Sequence, residues 1–170
     1  MKTIIRLFVA LTLACYAMVS FGGLTSPDYG GQPYFSAYMS AVQTVTANTN
    51  TKLNFNTVEY DSGGYYDTTN FRFLPKVAGK YVVQCSVSFT TNSAAANYSA
   101  MIYKNGSLLY GSFQNIGSGT VSQAFQTAKT AIVPLNGSTD YVECWGATGQ
   151  TNVNGIINTY TNFQAYYLGP

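Results

Sequence analysis

Ser99-Ala100-Met101-Ile102-Tyr103-Lys104-Asn105-Gly106-Ser107-Leu108-Leu109-Tyr110-Gly111-Ser112 reads as two alternating runs hinged on Asn105-Gly106. Asn-Gly is the preferred pair for a two-residue hairpin turn, because both central residues must take positive φ and these two do so at least cost. Working outward, Phe35, Ala37 and Met39 fall on one face of an alternating run and Ser36, Tyr38 and Ser40 on the other. Similar runs lie at Lys52–Val58, Phe71–Phe73, Tyr81–Phe89, Thr127–Leu135, Tyr141–Trp145 and Tyr160–Leu168. Asn136-Gly137 marks a second, slightly longer hairpin before Tyr141. Helical spacing is nowhere sustained. Short strands punctuated by Gly and Asn turns predict an all-β sandwich or jelly roll of two antiparallel sheets.

Ahead of the strands, Lys2 and Arg6 precede the apolar run Leu7 to Ala14, and small residues follow. That is the pattern of a signal peptide over residues 1–22, too short for a membrane span. Cleavage after Ala17 and after Gly22 both fit, and Leu13-Ala14-Cys15 offers a lipidated Cys15 as a minor alternative to plain secretion. Residues 23–33 read as a linker of breaker residues and residues 34–170 as one domain. Removing Lys2 and Arg6 takes the cations from 8 to 6 against 6 acids, so the remaining chain is formally neutral. It carries no electrostatic footprint for nucleic acid or an anionic membrane. Charged residues make up 8% of the chain and aromatics 15%, a balance that suits surface covered by other subunits.

Leu53-Asn54-Phe55-Asn56-Thr57-Val58, Tyr66-Asp67, Phe71-Arg72-Phe73, Pro75 and Ala78-Gly79-Lys80-Tyr81 follow one another in the order of a known family. So do Tyr103-Lys104-Asn105-Gly106, Leu135-Asn136-Gly137-Ser138-Thr139-Asp140-Tyr141-Val142 and Thr161-Asn162-Phe163-Gln164-Ala165-Tyr166-Tyr167-Leu168. Together they resemble the complement C1q globular head, a jelly roll shared with the tumour necrosis factor superfamily. The Asn- and Thr-rich style is similar to versions on phage fibres and in microbial proteins, and Ala165 stands where the family commonly has Gly. The resemblance implies a ten-stranded jelly roll that assembles as a homotrimer. Val82 and Gln84 on one strand and Phe163, Ala165 and Tyr167 on the closing strand would then face the threefold axis. It also places the strands of Cys85 and Cys144 in opposite sheets. Both cysteines fall on the inward phase, so either a disulfide staples the sandwich or two thiols pack as small hydrophobes.

Candidate chemistry is sparse. The chain has no histidine to activate a cysteine or complete a zinc site. Asp61 and Asp67 bracket a Gly-rich turn that could gather oxygens for calcium or serve as a glycosidase carboxylate pair. Turn chemistry accounts for them more simply, so the expectation is no metal, no cofactor and no catalysis. Trp145, on the outward phase, is the first side chain to mutate, as a stacking platform for a sugar or a partner aromatic or as the cover of a loop. The expected function is a secreted, non-catalytic recognition or adhesion head that binds a surface glycan or protein through loops at 90–98, 114–122 and 146–158. The alternatives are a coat or fibre subunit that only assembles and a hydrolase on the same scaffold.

Overall fold

The computed structural model describes residues 31–90, 96–116, 124–149, 153–154 and 160–170. The expected signal peptide, Cys15 and most of the linker lie outside them. The first strands in chain order are β1 (Tyr34–Tyr38), β2 (Thr44–Val45), β3 (Thr51–Lys52), β4 (Thr57–Asp61), β5 (Tyr66–Asp67), β6 (Arg72–Phe73) and β7 (Ala78–Thr90). There follow β8 (Ala96–Lys104), β9 (Ser107–Gly111), β10 (Gln114–Ile116), β11 (Ala124–Asn136), β12 (Val142–Thr148), β13 (Val153–Asn154) and β14 (Asn162–Gly169).

Five of these form one antiparallel sheet in the order β11-β7-β14-β1-β4. A seven-stranded sheet runs β10-β8-β12-β6-β5, with β3 added beside β12 and β9 beside β8, and β2 pairs with β13. The two larger sheets pack as an all-β jelly-roll sandwich. Asn105 (φ 52°) and Gly106 (φ 76°) make the tight turn between β8 and β9, as their side-chain chemistry demands. Fourteen segments among the described residues stand where ten strands were expected, because several runs are interrupted. The run at Lys52–Val58 is the clearest case: it leaves one sheet as β3 and joins the other as β4. In the crossing, Leu53 and Phe55 both turn fully inward. Gln43 holds the crossing backbone, donating to the Lys52 carbonyl at 2.8 Å and accepting from the Asn54 N–H at 2.8 Å.

Alternation places the core. Tyr81, Val83, Cys85, Val87 and Phe89 of β7 face Tyr98, Ala100 and Ile102 of β8 and Val142 and Cys144 of β12, all buried. Phe35 stacks on Phe73 at 4.5 Å and on Tyr66 at 4.8 Å and meets Phe163 edge-on at 4.9 Å. Such ring pairs add about 1 kcal/mol each beyond their burial. The Tyr66 hydroxyl donates to the Phe55 carbonyl and the Tyr81 hydroxyl to the Val77 carbonyl, so these two buried phenols are satisfied. Burial pushes both phenols far above their ordinary titration range. Cys85 and Cys144 are joined across the two sheets, with Cα atoms 5.3 Å apart.

Candidate interaction surface

The outward face of the five-stranded sheet is organised in rows, because paired strands hold residues of one phase side by side. Register aligns Tyr34 with Tyr166, Tyr166 with Val82, and Val82 with Ile132, giving an apolar row across four strands. The next row is polar: Ser36 opposite Gln164, Gln164 opposite Gln84, and Gln84 opposite Thr130. The third row, Tyr38, Asn162, Ser86 and Ala128, is partly roofed by the chain approaching β14. There Ser86 Oγ donates to the Tyr160 carbonyl, and Gln126 Nε2 reaches both Ser86 Oγ and that carbonyl.

The apolar row is open. Tyr166 is 53% exposed, Ile132 53% and Tyr34 42%, and Tyr60 of β4 extends the row by meeting Tyr34 edge-on at 5.7 Å. Leu168 lies exposed on the same strand as Tyr166. Within the polar row, Gln164 Nε2 donates to Gln84 Oε1 at 3.0 Å, and Ser36 Oγ donates to Glu59 Oε2 at 3.1 Å. A second apolar patch lies along the sandwich edge, where every residue of β9 is exposed. Leu108, Leu109 and Tyr110 there are followed by Phe113, 69% exposed.

This geometry corrects the assignment of the axis-facing residues. Phe163 and Ala165 are buried in the sandwich, opposite Cys85 and Val83, and Tyr167 packs edge-on against the core residue Tyr81 at 5.3 Å. Their phase is the inner one because their cross-strand partners point inward. The outer face of β14 is Gln164 and Tyr166, and it joins Val82 and Gln84, which are half-buried on the outer side. Tyr34, Tyr60, Ile132, Gln164 and Tyr166 also stand on this outer face and were not among the expected residues. The signal for Gln164 and Tyr166 was the inward Cys85, which fixes the phase of β14 once the two strands are paired.

The other candidates are engaged within the chain. Asp61 accepts the Tyr66 N–H at 2.7 Å and the Gly63 N–H at 3.3 Å. Asp67 accepts from the Asn70 side chain at 2.7 Å, from the Thr69 and Asn70 N–H groups at 3.0 Å, and from Arg72 Nε at 3.3 Å. The Asn70 amide first, then those backbone donors and the Arg72 charge, hold the Asp67 carboxyl below its ordinary range. Both carboxylates are thus spent on their own turns, and no three metal-ligating side chains gather among the described residues.

Trp145 stacks on the chain's own Tyr103, ring centres 4.3 Å apart and 16° from parallel. Its indole N–H donates to Glu143 Oε2 at 3.1 Å, and Lys52 Nζ binds Glu143 Oε1 at 2.9 Å. Asn50 Nδ2 donates to the Tyr103 hydroxyl at 2.8 Å. Trp145 and Tyr103 therefore anchor β3 and the preceding loop to the seven-stranded sheet. The expected binding loops are shorter than drawn, since 96–98, 114–116 and 146–148 are strand, and residues 91–95, 117–123, 150–152 and 155–159 lie outside the described ones.

No family model matches the chain. Over 101 residues it is 32% identical to the uncharacterised protein YqcC of Bacillus subtilis, a match covering 56% of this chain and 26% of that protein. The chain thus spans about a quarter of that relative's length. Among solved structures, the globular domain of zebrafish complement 1qA superposes with a TM-score of 0.58 at 13% identity, over 81% of this chain and 97% of that one. Murine APRIL at pH 5.0 gives 0.60 at 10% identity over 81% and 99%, and the Eiger TNF of S. frugiperda 0.57 at 10% over 81% and 92%. The fold is that of the C1q and TNF jelly-roll heads. No helix among the described residues is long and apolar enough to cross a membrane.

Proposed function

We propose that this chain is a secreted, non-catalytic recognition head of microbial type that works as a homotrimer and binds a surface glycan or protein. The observation that carries the reading is the open apolar row Tyr34, Tyr166, Val82 and Ile132, a contiguous and nearly charge-free stripe of the kind that marks an interaction face. The occupant is a second copy. A single self-complementary patch would yield a two-fold dimer, whereas a closed ring needs two different patches that meet head to tail. The chain carries two, the sheet face and the β9 edge with Phe113. Likeness to the C1q and TNF heads in fold, and to a bacterial protein in sequence, supports the same reading.

The test is the mass of the exported chain by analytical ultracentrifugation, beside a Tyr166→Lys variant that sets a cation from every copy into the row. Three copies for the wild type and folded single subunits for the variant are expected. Single subunits of the wild type at all concentrations would refute self-association. A glycan and cell-surface binding screen then addresses recognition, and silence from an intact trimer would favour an assembly-only coat or fibre subunit.

A further inference from the structure

Building on the trimeric reading above, we propose that the amide pair Gln84–Gln164 sets the register of self-association and selects which chains join it. The apolar row alone is a poor guide to register, because hydrophobic burial is non-directional and a ring slipped by one row would hide similar area. Beside it lies the polar row, with the two amides at its centre on adjacent strands β7 and β14. A side-chain amide has an oxygen that accepts and a nitrogen that donates. Gln84 and Gln164 spend one end of each on their mutual bond of 3.0 Å. Their other ends have no partner among the described residues, whereas the neighbouring Ser36 is already committed to Glu59.

An interface that covers this row must answer those free ends, because a polar group desolvated without a partner is destabilising. In a head-to-tail ring, equivalent rows of the three copies come together only around the threefold axis, and amides of adjoining copies answer each other only where polar row meets polar row there. In any slipped arrangement an amide faces Tyr166 or Val82, and the contact loses more than it gains. The pair thus acts as a buried polar residue acts in a coiled coil, giving up some stability to exclude alternatives.

The experiment co-expresses differently tagged full-length wild type and a Gln84→Leu/Gln164→Leu variant and compares both with each chain alone, by sedimentation and by capture on either tag. Wild type alone is expected to give one mass. The variant alone should still assemble, through its enlarged apolar surface, but with more than one mass. Mixed assemblies should be depleted about tenfold below their statistical share, since each wild-type amide facing leucine is left unanswered. A variant with the single wild-type mass that mixes statistically would overturn this inference and leave the trimer standing. A wild type that sediments as single subunits would remove the trimer and this inference with it. Should the double variant not fold, Gln84→Met, which strands the Gln164 amide alone, carries the same expectations.

Discussion

Replacing Cys85 and Cys144 together by alanine removes the covalent tie between the sheets, and its effect can be worked from where the tie sits. The bridge closes a loop of 59 residues. In the chain-entropy relation a loop of that length contributes about 4 kcal/mol, by restricting the unfolded chain. Folded domains are stable by about 5–15 kcal/mol, so the loss is a large share of the total. At about 2.1 cal/mol/K per residue over the 140 residues from Gly31 to Pro170 (170 − 30), the midpoint should fall by about 14 °C. The assay is urea and thermal unfolding, followed by far-UV circular dichroism and by fluorescence of Trp145, the sole tryptophan and the neighbour of Cys144. Wild type with its bridge reduced keeps both sulfur atoms, so comparison with the alanine variant separates the cross-link from lost packing. A reduced protein within about 1 kcal/mol of the oxidised one would refute the loop argument.

Two further outcomes follow from side-chain geometry. Trp145→Ala should cost about 3 kcal/mol, the lower end for a truncated aromatic, because it empties one side of the Tyr103 stack and takes a donor from Glu143. Denaturation would show this as a lowered urea midpoint, and an unchanged midpoint would return Trp145 to the candidates for external stacking. Acid should also weaken the fold. Lys104 and Asn105 hold Asp140, as Asn70 and its neighbours hold Asp67, below the ordinary carboxylate range. A depressed folded value means that the stabilisation is complete above about pH 4 and is lost as pH falls through the folded value. The urea midpoint should therefore drop between pH 7 and pH 3, and drop less in Asp67→Asn and Asp140→Asn; equal drops in all three proteins would contradict the assignment.

The long strands were legible because each offers enough residues to display a period. Tyr81–Phe89 and Thr127–Leu135 fall inside β7 and β11, and the hairpin at Asn105-Gly106 was written in its turn residues. The segments β2, β5, β10 and β13 were not read as strands, since two or three residues cannot show alternation and pairing alone creates them. The candidate surface was half legible. Val82 and Gln84 were assigned to the outer side, but the closing strand carries large apolar side chains on both phases. Its own pattern permits either orientation, and the choice falls to the partners Val83 and Cys85 across the sheet. Trp145 shows the same limit: an outward aromatic reads as available until another strand brings Tyr103 against it.

The pairing of β1 with β14 has a mechanical consequence. Tyr34 lies opposite Tyr166, and the Tyr167 N–H bonds the Pro33 carbonyl, so the chain comes into this sheet and goes out of it at one pole. A pull applied between Gly31 and Pro170 would load these bonds one after another and open the seam like a zip fastener, at low force. The same pull between Gly31 and Thr90, at the opposite end of β7, would strain whole strands along their length and meet their resistance all at once.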